Sequence, residues 1–231
     1  MSNKEAVYEL ENLREMIRER DHSKYVKDFI DIGDFSYGVP NVYFWDDKTH
    51  LTIGKFCSIA ENVSIMLGGE HRTDWVSTYP FNALMARYSY IKGHPATKGD
   101  IVIGNDVWIG SGVKILSGVT IGDGAVIGAN TLVSKDVPDY YIAVGAAGGK
   151  MRPRFDSGVI RNLCEIKWWN WDLEDIANII PMLQSEDINA VIDYYFTVIA
   201  KTDHASKRSG HSLKSLMTER SFFFTNRKRK K

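Results

Sequence analysis

Proton chemistry in this 231-residue sequence starts with its six histidines, which fall in different settings. His71 and His94 stand towards the two ends of one stretch, residues 67–100, and His50 precedes it. His22, His204 and His211 lie well outside. The same stretch carries GGEHRTDWVSTYPFNALM, so Glu70, Arg72, Asp74, Tyr79 and Asn82 surround His71 in sequence. A neutral imidazole, with an ordinary pKa near 6.5, can take a proton from an attacking hydroxyl or amine around neutral pH. A lone histidine is more often a packing or surface residue. Its place in a long, chemistry-rich segment is what sets His71 apart, with His94 as runner-up and His50 next.

The elements that must hold this segment are written in a period of six. Ile103, Ile109, Ile115, Ile121, Ile127 and Val133 recur at that step. Ile101, Val107, Val113, Val119, Ala125, Thr131 and Val137 keep it two residues earlier. A helix repeats near 3.6 and a lone strand at 2, so a sustained six requires short strands separated by tight turns. Ile53, Ile59 and Ile65 open the pattern, with Cys57 and Val63 in the second series. Ile65 and Ile103 are 38 residues apart, two more than six hexads, so residues 67–100 leave the repeat as a loop. A loop of that length inside a compact repeat is more often functional than not.

The remaining chain frames the repeat. Residues 4–20 place Val7, Leu10, Leu13, Met16 and Ile17 on one helical face. The expected organisation is a helical segment over 1–28, the repeat over 29–150 with its excursion at 67–100, a Trp-rich helical cap over 151–200, and a polar basic tail, disordered by composition, over 201–231. Twenty-nine basic and 29 acidic residues cancel, so no global field selects nucleic acid. No run of eighteen apolar residues and no signal-peptide core are present, which points to a cytoplasmic protein without membrane insertion. Two cysteines, Cys57 and Cys164, are too few for a disulfide framework, and no metal-ligand spacing is found.

The hexads, the excursion with LGGEH and STYPF, VWIGSGV and the Trp-rich segment together resemble the hexapeptide-repeat acyltransferases. Within them the layout is similar to the xenobiotic acetyltransferase branch. That branch holds the type B chloramphenicol and streptogramin A enzymes and sugar acetyltransferases of surface-polysaccharide pathways. The likeness runs from about Ile32 to about Ile192. It implies a mainly β fold, a left-handed parallel β-helix with an extended loop, an N-terminal helix and a C-terminal helical cap. It also implies a homotrimer in which acetyl-CoA lies in a groove between subunits. By motif His71 is the general base. No nucleophilic Ser or Cys sits in an elbow, so direct transfer without an acyl-enzyme follows. For the cofactor it points to Ser111 and Ala129, eighteen apart, and to Ser134 and Lys135 at the next corner. Lys150, Arg152 and Arg154 form a basic cluster suited to CoA phosphates. The family's VGNPAK turn reads VGAAGGK here, and Glu70 stands where relatives often carry Asn.

For the acceptor, Glu70, Asp74, Tyr79 and Asn82 favour a nucleotide-linked aminodeoxy sugar, since carboxylates and amides bind sugar hydroxyls and aromatics cover a ring face. Antibiotic O-acetylation of the chloramphenicol or streptogramin A type is the alternative. A non-catalytic solenoid scaffold is the third reading.

Overall fold

The structure is a computed structural model that describes residues 3–24, 28–46, 48–146 and 149–199. The basic tail expected over 201–231 lies outside the described residues, as do Ala147 and Gly148 of the altered turn. The chain divides into two compact units, Met1–Asn178 and Ile179–Lys231.

The first unit opens with α1 (Asn3–Arg20), followed by β1 (Ile30–Ile32), β2 (Asn41–Tyr43), β3 (Leu51–Ile53), β4 (Ser58–Ile59) and β5 (Ser64–Met66). After the excursion, which holds the short α2 (Phe81–Leu84), come β6 (Ile101–Ile103), β7 (Trp108–Ile109), β8 (Lys114–Ile115) and β9 (Thr120–Ile121). Then follow β10 (Val126–Ile127), β11 (Leu132–Val133), β12 (Tyr141–Val144), β13 (Lys150–Pro153), α3 (Ser157–Ile166) and α4 (Leu173–Leu183).

Three sheets form: β1-β3-β6-β9, β4-β7-β10-β12-β13 and β2-β5-β8-β11. From β3 to β11 successive strands visit them in rotation, which fits the solenoid expected from the period. Trp108 pairs with Val126 and Lys114 with Leu132, both a step of eighteen. Ile65 pairs with Ile115, a step of fifty, and there the excursion is inserted without disturbing the registration. Every strand pairing is parallel except β12 with β13.

Both hexad series point inward. Ile101, Ile103, Val113, Ile115, Ile121, Ala125 and Ile127 are all essentially unexposed and form one continuous core. No rung can bury this surface alone, so the stacking of rungs supplies the stability. Cys57 is buried in the same core, as its position in the second series predicts.

Two expectations need correcting. Helices claim more of the chain than mainly β implies: the strands have two to four residues, against 18 in α1, 10 in α3 and 11 in α4. On α1 only Ile17 is buried, while Leu13 and Met16 of the predicted apolar face are exposed.

The turn from the first sheet to the second puts Phe35, Phe56, Asp106, Gly124 and Tyr140 in left-handed conformation, one above another. For non-glycine residues that conformation costs about 1–2 kcal/mol each. Packing offsets it: Phe35 stacks on Phe56 at 4.5 Å, and Phe56 meets Trp168 at 4.7 Å. α3, capped by the Asp156 carboxylate on Gly158 and Val159 N–H, runs beside this corner, with Cys164 next to Asp139 and Trp168 next to Phe56. The tryptophans expected in a cap thus pack along the side of the coil.

In the second unit, α5 (Ile188–Tyr194) is capped by the Asp187 side chain, which accepts from Ala190 N–H, and Ile179, Val191 and Ile192 are buried. Among the described residues no helix is long and apolar enough to cross a membrane.

Candidate active site

The excursion leaves from the third-to-first sheet corner, and its stem is tied on both sides. Gly68 and Gly69 are left-handed, and the Trp45 indole lies so close over Gly69 that a Cβ there would sit 2.5 Å from the ring. Only glycine fits. Glu70 then exchanges both backbone hydrogen bonds with Ala96, at 3.1 and 2.9 Å, zipping the outgoing strand to the returning one.

His71 follows at once and is exposed. Its Nδ1 is 2.7 Å from the Thr78 carbonyl oxygen. A carbonyl only accepts, so Nδ1 carries a proton, and in the neutral ring the lone pair is on Nε2. That is the tautomer a base needs. His94, on the returning limb, meets His71 edge to face at 4.6 Å between ring centres. Both its ring nitrogens are shielded and have no hydrogen-bond partner among the described residues, and burial, followed by the neighbouring His71, lowers its pKa. A second proton on the His94 ring is therefore disfavoured.

The turn that holds His71 also builds a concavity. Trp75, Ser77, Tyr79, Phe81, Asn82 and Ile91 line a bowl of about 220 Å³. Asn82 Nδ2 donates to the Ile91 and His94 carbonyls at 3.0 and 2.9 Å and so closes the loop on itself. The Arg72 guanidinium is bound by both oxygens of Asp74 and lies 5.6 Å over Trp75. Glu70 Oε1 accepts from the buried Ser117 hydroxyl. Of the four residues expected to bind acceptor, Glu70, Asp74 and Asn82 thus have partners within the protein. Tyr79 stays exposed on the bowl.

Of the residues expected to hold the cofactor, Ser111 and Ala129 lie at another corner, while Ser134 and Lys135 follow β11 at the same third-to-first corner as the excursion. Ser111 and Ala129 are exposed one rung apart between the second and third sheets, and Asn130 N–H binds the Ser111 carbonyl. Ser134 and Lys135 line a small cavity with Val144, Gly149 and Met151, next to Lys150. Lys150 and Arg152 belong to β13 and are exposed, instead of following the last strand as the sequence suggests. Arg154 departs from expectation. Its Nη1 donates to the Gly124 carbonyl and its guanidinium packs 5.6 Å from Tyr140 and 4.9 Å from Phe155. It is a structural residue of the first-to-second sheet corner. Burial pushes both thiols, Cys57 and Cys164, up to about 11, so neither is a ready nucleophile.

Sequence reasoning missed Thr78, Ser117 and Ile91. Ser117 carried a signal: it follows Ile115 by two, as Leu67 follows Ile65, and those isoleucines pair across rungs. A small hydroxyl therefore stacks where the excursion departs.

Several known proteins are similar to this chain. The family described as bacterial transferase hexapeptide (six repeats) matches residues 100–135. A chloramphenicol acetyltransferase of Klebsiella aerogenes is 42% identical over 154 residues, covering 65% of this chain and 73% of the relative. A probable macrolide acetyltransferase of Lysinibacillus sphaericus is 42% identical over 62% of this chain and 81% of its own. Virginiamycin A acetyltransferase of Staphylococcus aureus is 44% identical over 60% and 64%. Among solved structures, the polySia-specific acetyltransferase NeuO aligns at 31% identity over 54% of this chain and 49% of its own, with a TM-score of 0.38. The chain belongs to the hexapeptide-repeat acyltransferases, in the branch that includes these antibiotic acetyltransferases. It is accordingly an acetyltransferase.

Proposed function

We propose that the chain transfers acetyl from acetyl-CoA to a hydroxyl on a largely apolar acceptor of the antibiotic type, with His71 as general base. One observation carries this reading: the turn that fixes His71 through Thr78 also presents Trp75, Tyr79, Phe81 and Ile91 as an apolar bowl. In the reaction, His71 Nε2 takes the acceptor's proton as its oxygen attacks the thioester carbonyl. Collapse breaks the C–S bond, and the imidazolium returns the proton to the departing CoA thiolate.

The nucleotide-linked amino sugar fits less well than the sequence suggested. Its hydroxyls need polar groups held free for them, and Glu70, Asp74 and Asn82 are engaged within the loop. The relatives matched by sequence whose names state an acceptor are chloramphenicol, macrolide and virginiamycin enzymes, whereas NeuO is polySia-specific.

The solenoid is read as left-handed, as the resemblance implies. The assembly is read as a homotrimer, because His71 and the pantetheine candidates Ser111 and Ala129 occupy different corners of one chain. A neighbouring copy brings those corners together. Lys135 and Lys150, exposed beside Ser134, fit the anionic end of CoA, and Ser111 and Ala129 fit its pantetheine. Arg154 is left out of this set because it is turned inward. A cytoplasmic location, where acetyl-CoA is supplied, accords with this use.

CoA release from acetyl-CoA should be measured with chloramphenicol, virginiamycin and a panel of nucleotide-linked amino sugars. A higher kcat/KM for any amino sugar than for both antibiotics would overturn the apolar assignment. Light scattering on the active enzyme tests the assembly, and an active monomer would refute it.

A further inference from the structure

We propose that Glu70 and Ser117 form a latch that positions His71, and that Glu70 does not contact the acceptor. This rests on His71 being the base. Glu70 is the residue immediately before it, and its backbone is fixed by the two hydrogen bonds to Ala96. Its carboxylate turns back to the coil and accepts a hydrogen bond from the hydroxyl of Ser117, which lies between β8 and β9 on the next rung. Ser117 Oγ in turn accepts from Lys98 N–H at 3.0 Å. One buried hydroxyl therefore ties the outgoing limb at Glu70 and the returning limb at Lys98 to the rigid stack. Gly118 completes the seat, since Lys98 would meet any Cβ there at 2.7 Å and Gly118 N–H donates to Gly99 O at 2.9 Å.

The other carboxylate oxygen, Glu70 Oε2, is shielded and has no hydrogen-bond partner among the described residues. A substrate ligand would be reachable; this oxygen is not. Keeping a carboxylate in such a place is costly. What it secures is the direction of the chain at His71, the kind of support a reacting side chain needs from its neighbours. A misplacement of about 1 Å can cost on the order of 10²-fold in rate.

The test combines kinetics with a spectroscopic reading that needs no acceptor. Selective ¹⁵N labelling of histidine, with His71 assigned by its loss in His71→Ala, should show a single Nδ1–H tautomer in the wild type. In Glu70→Ala and Ser117→Ala that signal should broaden or average. With chloramphenicol as acceptor, each variant should lower kcat about 10-fold with little change in acceptor KM. The double variant should be no worse than the poorer single one, because both break one contact. Glu70→Gln keeps an oxygen for the Ser117 hydroxyl and should restore much of the loss. Additive losses, a KM rise at constant kcat, an unchanged His71 signal, or a Gln variant as poor as Ala would each overturn the latch. His71→Ala separates the two readings. If it keeps wild-type kcat, the base assignment fails; if it is impaired while the pair is additive, only the latch fails.

Discussion

Two corners of the same coil depart from the plain repeat, and they do so in opposite ways. At the first-to-second sheet corner the chain fills the turn with bulk: Phe35 stacks on Phe56, Trp168 packs against Phe56, and Arg154 folds onto Tyr140. At the third-to-first corner it abandons the step and sends out residues 67–100, with an exposed imidazole and an open bowl. The first corner spends its polar and aromatic groups on itself. The second keeps Nε2 of His71 and the face of Tyr79 available. A repeat can thus support chemistry without altering its core, provided that one corner is interrupted and the strands on either side keep their register.

Substitutions at the two corners should separate rate from stability. His71→Ala should lower kcat by roughly 10²–10⁴ and leave the melting temperature unchanged, read by steady-state kinetics and calorimetry on one preparation. A matching fall in melting temperature would erase the contrast. Trp168→Ala should do the reverse, costing about 3–5 kcal/mol of stability while the folded fraction turns over normally. Chemical denaturation with activity-normalised kinetics checks it.

Asp106 sharpens the picture through pH. Burial, the main cause, with Asp123 nearby and Arg154 opposing, pushes its carboxyl up to about 6. A raised carboxyl favours the protonated form, so its stabilising contribution is complete below the ordinary carboxylate range and is lost as pH rises through about 6. Asp106→Asn should remove that loss, adding on the order of 1–2 kcal/mol at pH 8 and little at pH 4. Asparagine also tolerates the left-handed backbone at this site. Equal effects at both pH values would show that the carboxyl is not titrating there. The smallest effect expected is in Lys135→Ala, a few-fold rise in KM for acetyl-CoA, since one exposed charge contributes about 0–1 kcal/mol. Arg154→Ala should leave that KM alone and lower the melting temperature. The opposite outcome would return Arg154 to the cofactor.

The coil was legible because inward and outward positions follow from the period alone. Ile109 and Val113 could be placed before any coordinates, and so could the break after Ile65. The corners were not legible. Whether Arg154 reaches a phosphate or the Gly124 carbonyl depends on where Tyr140 and Phe155 lie, which no hexad encodes. Likewise Glu70 and Ser117 are 47 residues apart, and His71 and His94 are 23. Loop residues meet through the path of the excursion, so their types could be read while their partners could not. The acceptor expectation rested on polarity counted in sequence, which does not reveal which polar groups are already occupied.

The antiparallel pairing of β13 on β12 has a consequence for growth. A stack of parallel rungs is an open template, since its terminal strand offers unpaired amides to any similar strand, including one from another molecule. β13 reverses direction, ends in Pro153, which has no amide hydrogen to give, and carries the exposed charges of Lys150 and Arg152. A further rung in the original sense finds the wrong polarity and a charged rim. The strand thereby limits the length of that sheet and discourages end-to-end fibre formation.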